Sequence, residues 1–191
     1  LSRLTGKFAE GRFAKNLLIS LFISRYQVDL SDAENEDPEA FESFNAFFTR
    51  ALKPTARPIN DLPGAIVCPA DGAISELGAI EEDRILQAKG RDYTVGQLLS
   101  DPELADSFTG GSFATVYLSP KDYHRVHMPT AGKLLRTIYV PGKLFSVNRN
   151  TADSVPDLFA RNERLVCLFE TANGLMGLVL VGAMIVAGIE T

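Results

Sequence analysis

The stretch "IVCPADGAISELGAI", residues 66–80, marks the point where the chain changes character. Before it, large apolar residues recur at helical spacing. From it onward, short runs of Val, Ile, Leu, Tyr and Phe alternate with Gly, Asp and Pro: "RILQAKG" (84–90), "FATVYLS" (113–119), "RTIYVPG" (136–142), "RLVCLFE" (164–170) and "LMGLVLVGAMIVAGI" (175–189). β-Branched and aromatic residues bounded by turn formers suit a pleated, half-buried surface, so these runs predict strands. One helix, "TVGQLLS" (94–100), interrupts them. The apolar run 174–189 is shorter than the ~18 to 20 residues of a spanning helix, and its Val, Ile and Gly content predicts a buried strand or strand pair.

Working back toward the N-terminus, "GRFAKNLLISLFISRY" (11–26) places Phe13, Leu17 and Leu21 in one helical row and Ala14, Leu18 and Phe22 in the next. Arg12, Lys15 and Arg25 flank them, which predicts a basic amphipathic helix suited either to the core or to a membrane surface. A second helix is expected from Asp37-Pro38, an N-cap followed by proline at the first helical position, to about Arg50, with Phe41, Phe44, Phe47 and Phe48 inward. The prolines of "KPTARPINDLPG" (53–64) then end helical structure. The expected architecture is α+β: a helical, membrane-associating segment over residues 1–50, then a β-rich body of barrel or sandwich type over 51–191.

A chain of 191 residues that is 46% hydrophobic can bury a substantial core. The net charge is −5, unevenly spread. Residues 1–28 are basic, carrying Arg3, Lys7, Arg12, Lys15 and Arg25 against Glu10, whereas every charged residue from Asp29 to Glu42 is acidic. An acidic body whose basic stretch carries aliphatic side chains argues against nucleic-acid binding. Cys68 and Cys167 lie in apolar stretches without ligand-spaced neighbours, so both are expected as buried, reduced thiols. There is no secretory signal pattern. The chain starts without methionine and stops at Ile189-Glu190-Thr191 as an apolar run ends, which is expected of a piece of a longer protein.

Both histidines, His124 and His127, fall in "DYHRVHMP" (122–129). In a strand their side chains would face opposite ways, and in a helix they would share a face. A zinc site would need further ligands that no nearby Cys or His supplies. A histidine paired with an acid is more useful as a general base, since its pKa lies near neutrality. Asp71, in "CPADGAI", is on its own a turn residue, and no serine sits in a nucleophile-elbow pattern.

Taken together, "FNAFFTRALKPTARPI" (44–59), "CPADGAISELGAI" (68–80), "ILQAKGRDYTVGQLL" (85–99), "YLSPKDYHRVHMPTAGKL" (117–134), "YVPGKLFSVN" (139–148), "LFARNERLVCLFET" (158–171) and "VLVGAMIVAGIET" (179–191) resemble, in order and spacing, the bacterial phosphatidylserine decarboxylase proenzyme family. The resemblance covers nearly the whole chain.

It implies a self-made cofactor. In the family, a serine in a Leu-Gly-Ser-Thr motif attacks the preceding glycine carbonyl and becomes a pyruvoyl group on a new small chain. Asp71 and His127 match the acid and base that activate this serine. The pyruvoyl ketone then forms a Schiff base with phosphatidylserine and accepts the electrons left by departing carbon dioxide, giving phosphatidylethanolamine. By the same resemblance His124 is the proton donor or headgroup contact, and Phe145, Ser146, Val147 and Asn148 line the pocket. The Leu-Gly-Ser-Thr motif is not in residues 1–191, so this stretch alone is expected neither to form the cofactor nor to decarboxylate. Implied partners are an anionic membrane surface at the cytoplasmic face of a bacterial inner membrane, the small pyruvoyl-bearing chain and, left open, a second copy in a homodimer. Rival readings are an inactive relative that binds or transfers anionic phospholipid, and a biotin- or lipoate-carrier barrel, which would need a lysine at a hairpin tip.

Overall fold

A computed structural model describes residues 12–88, 90–184, 186, 188 and 189. Arg3, Lys7 and Glu10 of the basic segment, and residues 185 and 187 of the apolar C-terminal stretch, lie outside them. The described residues divide into two compact units: one from residues up to Ala73 with Leu118–Thr130, the other from Ile74–Tyr117 with Ala131 onward.

In the first unit, helix α1 (Arg12–Tyr26) forms as the apolar spacing predicts, burying Lys15, Ile19 and Phe22. Phe22 is the hub of an aromatic cluster, with ring centroids 5.1 Å from Phe44 and 5.9 Å from both Phe47 and Phe48. Phe47, fully buried, contributes about 1.5–3 kcal/mol of transfer free energy by itself. The row Phe13, Leu17 and Leu21 stays exposed, at 84%, 52% and 59%. Lys15 departs from the flanking role expected of it: its ammonium is buried and donates to the carbonyls of Glu39 and Phe41.

That bond explains a second difference. The helix expected from Asp37 to Arg50 shrinks to α2 (Phe44–Phe48). Glu39 and Phe41 give their carbonyls to Lys15 rather than to amides one helical turn ahead, and Asp37 Oδ1 accepts from Glu39 N in a local turn. The N-cap is Ser43, whose hydroxyl accepts from Ala46 N at 3.0 Å. The acidic stretch zips against residues 51–53, with Glu34 N donating to Ala51 O and Lys53 N to Asp32 O, both at 2.9 Å. Lys53 pairs with Glu36, so part of the charge segregation seen in sequence is neutralised locally.

The second unit holds β1 (Ala73–Ala79), β2 (Arg84–Ala88), β3 (Arg91–Thr94), α3 (Val95–Leu99), α4 (Pro102–Ala105), a 3₁₀ turn (Asp106–Phe108), β4 (Ser112–Tyr117), β5 (Gly132–Val140), α5 (Arg149–Ser154), α6 (Leu158–Arg161), β6 (Arg164–Thr171) and β7 (Gly174–Val181). β1 pairs with β4, β2 with β3, and β5-β6-β7 form an antiparallel meander. The class is therefore mixed α/β, and the barrel alternative of the expected barrel or sandwich does not form: among the described residues the strands fall into three small sheets, none closed into a barrel. The predicted helix at 94–100 is present as α3, opened by a capping box between Thr94 and Gln97.

Of the strand or strand pair expected of the apolar C-terminal run, the described residues hold one strand, β7, and it is half-exposed rather than buried. Its partner β6 carries the core, with Val166 and Leu168 packed among Ile85, Tyr93, Leu99 and Leu158. Three buried polar residues staple this unit. Gln87 donates to Ala152 O and Val155 O and accepts from Leu158 N. Asn162 donates to Phe145 O and Gly182 O and accepts from Phe145 N. Arg164 donates to the carbonyls of Gln97, Leu98, Ala160 and Asn162, closing the C-terminal ends of α3 and α6.

Both cysteines are free. Cys167 is buried as expected, whereas Cys68 is exposed. The strand expected around it begins only at Ala73, because Pro69 bends the chain and the Cys68 thiol turns to Ala70 O at 3.1 Å.

Candidate active site

The histidine block occupies an irregular segment after a Ser119–Asp122 turn, in which Asp122 N donates to Ser119 O and Ser119 N to Asp122 Oδ2. Two reciprocal bonds fasten it to the end of α2: Arg50 Nη2 donates to Lys121 O at 3.1 Å and Arg125 Nε to Thr49 O at 2.7 Å. A second pair ties it to the CPAD bend, with His127 N donating to Pro69 O at 2.8 Å and Val67 N to Pro129 O at 2.9 Å. Asp71, His124 and His127 thus belong to the same compact unit as α1.

Their side chains have separate partners. Asp71 is gripped by Arg57, whose Nε lies 2.9 Å and 3.0 Å from the two carboxylate oxygens; the same guanidinium donates to Asp32 at 2.8 Å and to Ala56 O. These carboxylate bonds raise the Arg57 pKa further above its ordinary value. His127 is exposed, and its Nε2 lies 2.8 Å from the Tyr123 hydroxyl, with the two rings stacked at 5.6 Å. Burial raises the Tyr123 pKa, so the phenol is protonated at neutral pH. No hydrogen bond joins Asp71 to His127: the arginine fork takes both carboxylate oxygens, and the phenol takes the imidazole nitrogen. Tyr123 feels the charges of Asp71 and Arg57, so it is electrostatically coupled to both.

His124 is placed differently. Its ring lies 4.0 Å from the Phe48 ring at 38°, and its Nδ1 is 2.8 Å from Asp122 O. Burial lowers its pKa; the bond to Asp122 raises it in part, while the positive charge of Arg50 lowers it further. Arg50 is itself buried, held by a carbonyl and by the face of Phe47 at 5.7 Å, and its Nε has no partner. Burial lowers its pKa as well.

The four pocket residues implied by resemblance lie in the second unit. Phe145 is bracketed through its backbone by Asn162, and its ring carries the Arg161 guanidinium at 5.1 Å. Phe145 and Val147 pack against the core. Asn148 caps α5, accepting from Thr151 N and Thr151 Oγ1, and Ser146 is half-buried. Gly142 explains the glycine of this motif: a Cβ there would stand 2.5 Å from the backbone of Asn162 and Glu163.

Arg50 and Phe48 entered the sequence reading only as helix residues, and Arg57 and Tyr123 were not singled out. Each sat inside a quoted motif, and the available signals were weak ones: a cation ending a phenylalanine run, a cation in a proline-rich turn, and a tyrosine four residues before a histidine.

Comparisons with known proteins bear on the family of the chain. The family model described as phosphatidylserine decarboxylase matches residues 44–191. The phosphatidylserine decarboxylase proenzyme of Pseudomonas entomophila (strain L48) is 64% identical over 194 residues, covering all of this chain and 68% of the relative. That of Pseudomonas aeruginosa (strain PAO1) is 64% identical and covered over 67% of its length, and that of Ectopseudomonas mendocina (strain ymp) is 63% identical and covered over 68%. With a match across the whole chain at this identity, the chain belongs to the phosphatidylserine decarboxylase family.

Proposed function

We propose that the chain is the large-chain portion of a proenzyme that cleaves itself and then decarboxylates phosphatidylserine to phosphatidylethanolamine at a membrane surface. The observation that carries this reading is the environment of His124, a half-buried imidazole fixed by Asp122 and Phe48 beside a buried arginine, in a chain of this family. The implied cofactor is a pyruvoyl group, which supplies an electrophilic carbonyl and an electron sink when present. The donor set fits it: a neutral imidazole can handle the proton of an amine-bearing substrate, and Arg50 adds a positive field in which developing negative charge is favoured.

For maturation, Asp71 and His127 are the acid and base that act on the serine of the small-chain segment. Arg57 holds the carboxylate in place, and Tyr123 holds the ring, until that serine docks. Phe145, Ser146, Val147 and Asn148 are assigned to the substrate pocket, with Asn162 fixing the backbone of Phe145.

No helix among the described residues is long and apolar enough to cross a membrane. The row Phe13, Leu17 and Leu21, flanked by the exposed Arg12 and Arg25, supports α1 lying in the headgroup layer of an anionic membrane at the cytoplasmic face. The opposite face of α1 reaches His124 through Phe22 and Phe48, which links membrane contact to the catalytic histidine.

The test uses the full-length proenzyme. His127→Ala should abolish self-cleavage, whereas His124→Ala should yield cleaved but inactive protein; the reverse pattern would overturn the division of roles. Deleting residues 1–28 should abolish flotation with anionic vesicles, and unchanged flotation would overturn the membrane assignment.

A further inference from the structure

We infer that Asp32 is a positioning residue for self-cleavage: by holding one end of the Arg57 guanidinium, it makes that cation present a single edge to Asp71, the acid assigned above to maturation. This rests on the proposed function, and within it on the role given to Asp71.

The geometry of the guanidinium carries the argument. A guanidinium can fork a carboxylate through its side-on edge, Nε with Nη2, or through its end-on edge, Nη1 with Nη2. Asp71 takes the side-on edge, with Nε at 2.9 Å from Oδ1 and 3.0 Å from Oδ2 and Nη2 donating to Oδ2. The remaining nitrogen, Nη1, donates to Asp32 Oδ2 at 2.8 Å and to Ala56 O at 2.7 Å. With Nη1 occupied, the end-on edge is closed to Asp71. An ionised carboxylate offers about four lone-pair sites, so a fork on one edge orients Asp71 and still leaves an acceptor site for an imidazole.

The backbone around Asp32 fixes the anchor. The Asp32 carbonyl accepts from Lys53 N at 2.9 Å, and the Lys53 carbonyl accepts from Ala56 N at 3.0 Å. Asp32 and the residue before Arg57 are therefore bonded to the same residue. Ala33 is fully buried and pairs with Leu52 in an antiparallel bridge, while Lys53 Nζ donates to Ser31 O at 2.8 Å. Neighbouring acidic side chains are used differently: Asp29 and Asp37 accept from nearby amides, and Glu36 pairs with Lys53. Asp32 reaches instead to the cation that grips Asp71.

An ion pair between two half-exposed side chains adds little to stability, so the contribution of Asp32 is geometric. Without it, Nη1 is free to swing toward Asp71 and offer the end-on edge, which moves the carboxylate. A displacement of about 1 Å can cost a reaction up to about a hundredfold in rate. Ala56 O still restrains Nη1, so losing Asp32 should cost less than losing Arg57 itself.

The test follows self-cleavage of the full-length proenzyme by the appearance of the small chain. Asp32→Ala should slow cleavage by about tenfold with an unchanged urea midpoint. Asp32→Asn keeps an oxygen acceptor for Nη1 and should restore the rate to within about threefold of wild type. In an Arg57→Ala background, Asp32→Ala should cause no further slowing, because no guanidinium is left to orient. Wild-type cleavage by Asp32→Ala, no recovery in Asp32→Asn, or equal slowing with and without Arg57 would overturn the inference. Should Asp32→Ala lower the urea midpoint, the recovery in Asp32→Asn still decides. Asp71→Asn cleaving at the wild-type rate would sink the maturation reading and this inference with it. Blocked cleavage in Asp71→Asn beside normal cleavage in Asp32→Ala would sink the role of Asp32 alone.

Discussion

The two compact units differ in how completely they satisfy their buried polar groups. In the β-rich unit, Gln87, Asn162 and Arg164 spend their donors and acceptors on backbone groups of neighbouring segments. In the histidine-bearing unit, Asn16 Oδ1, Arg50 Nε and Ser119 Oγ are buried without partners, and these are the only such side-chain atoms among the described residues. Satisfied polar groups specify a scaffold; unsatisfied ones are retained where a site needs a field or a ligand. The contrast fits the proposed placement of the proton-handling residues in the first unit and a rigid scaffold in the second.

Arg164 should give the largest effect. Arg164→Met would strip donors from four carbonyls at the ends of α3 and α6, at a cost of about 3 kcal/mol or more in urea unfolding. A neutral result would mean that the buried cation's desolvation already cancels its bonds, and the contrast between the units would fail. Asn162→Leu comes next, at about 2 kcal/mol, because it orphans both backbone groups of Phe145 and the carbonyl of Gly182.

Removing the N-cap in the first unit is milder. Ser43→Ala should lower stability by about 1 kcal/mol, with Ser43→Asp near wild type. Arg57→Ala removes a half-exposed ion pair and should change stability little. In the full proenzyme, however, it should slow self-cleavage by about tenfold to a hundredfold, through loss of Asp71 placement. Slow cleavage with unchanged unfolding would sharpen the distinction between site and scaffold; the converse would blur it.

The smallest effect is a pH dependence. The folded His124 pKa lies below 6.5 because of burial and Arg50. Above that pH the ring is neutral in both folded and unfolded chains and contributes no slope. As pH falls through 6.5 the unfolded chain binds the proton first, so stability should decline with acidification, and His124→Gln should flatten that part of the profile.

Much of the local structure was legible in the sequence. The apolar spacing of α1, the helix at 94–100 and the strand runs from residue 73 onward are short-range patterns, and each produced an element. The motifs also carried the family, because a long ordered set of short blocks is specific even when each block is weak. The shortened α2 was not legible, since it depends on Lys15 reaching Glu39 and Phe41 across more than twenty residues. The failure of one barrel to close was hidden for a related reason: run composition predicts strands, but which strands pair is a nonlocal choice.

The pair of histidines marks the division most clearly. Spacing alone determined that two imidazoles sit close together in a segment free of helix and strand signals. Only the tertiary structure decided that they are chemically unlike, because tautomer and charge depend on groups brought in from elsewhere. Asp122 lies beside His124 in the chain, but Phe48 and Arg50 approach from over seventy residues away. A ring's pKa responds to field and solvent access, and both are properties of the folded surroundings.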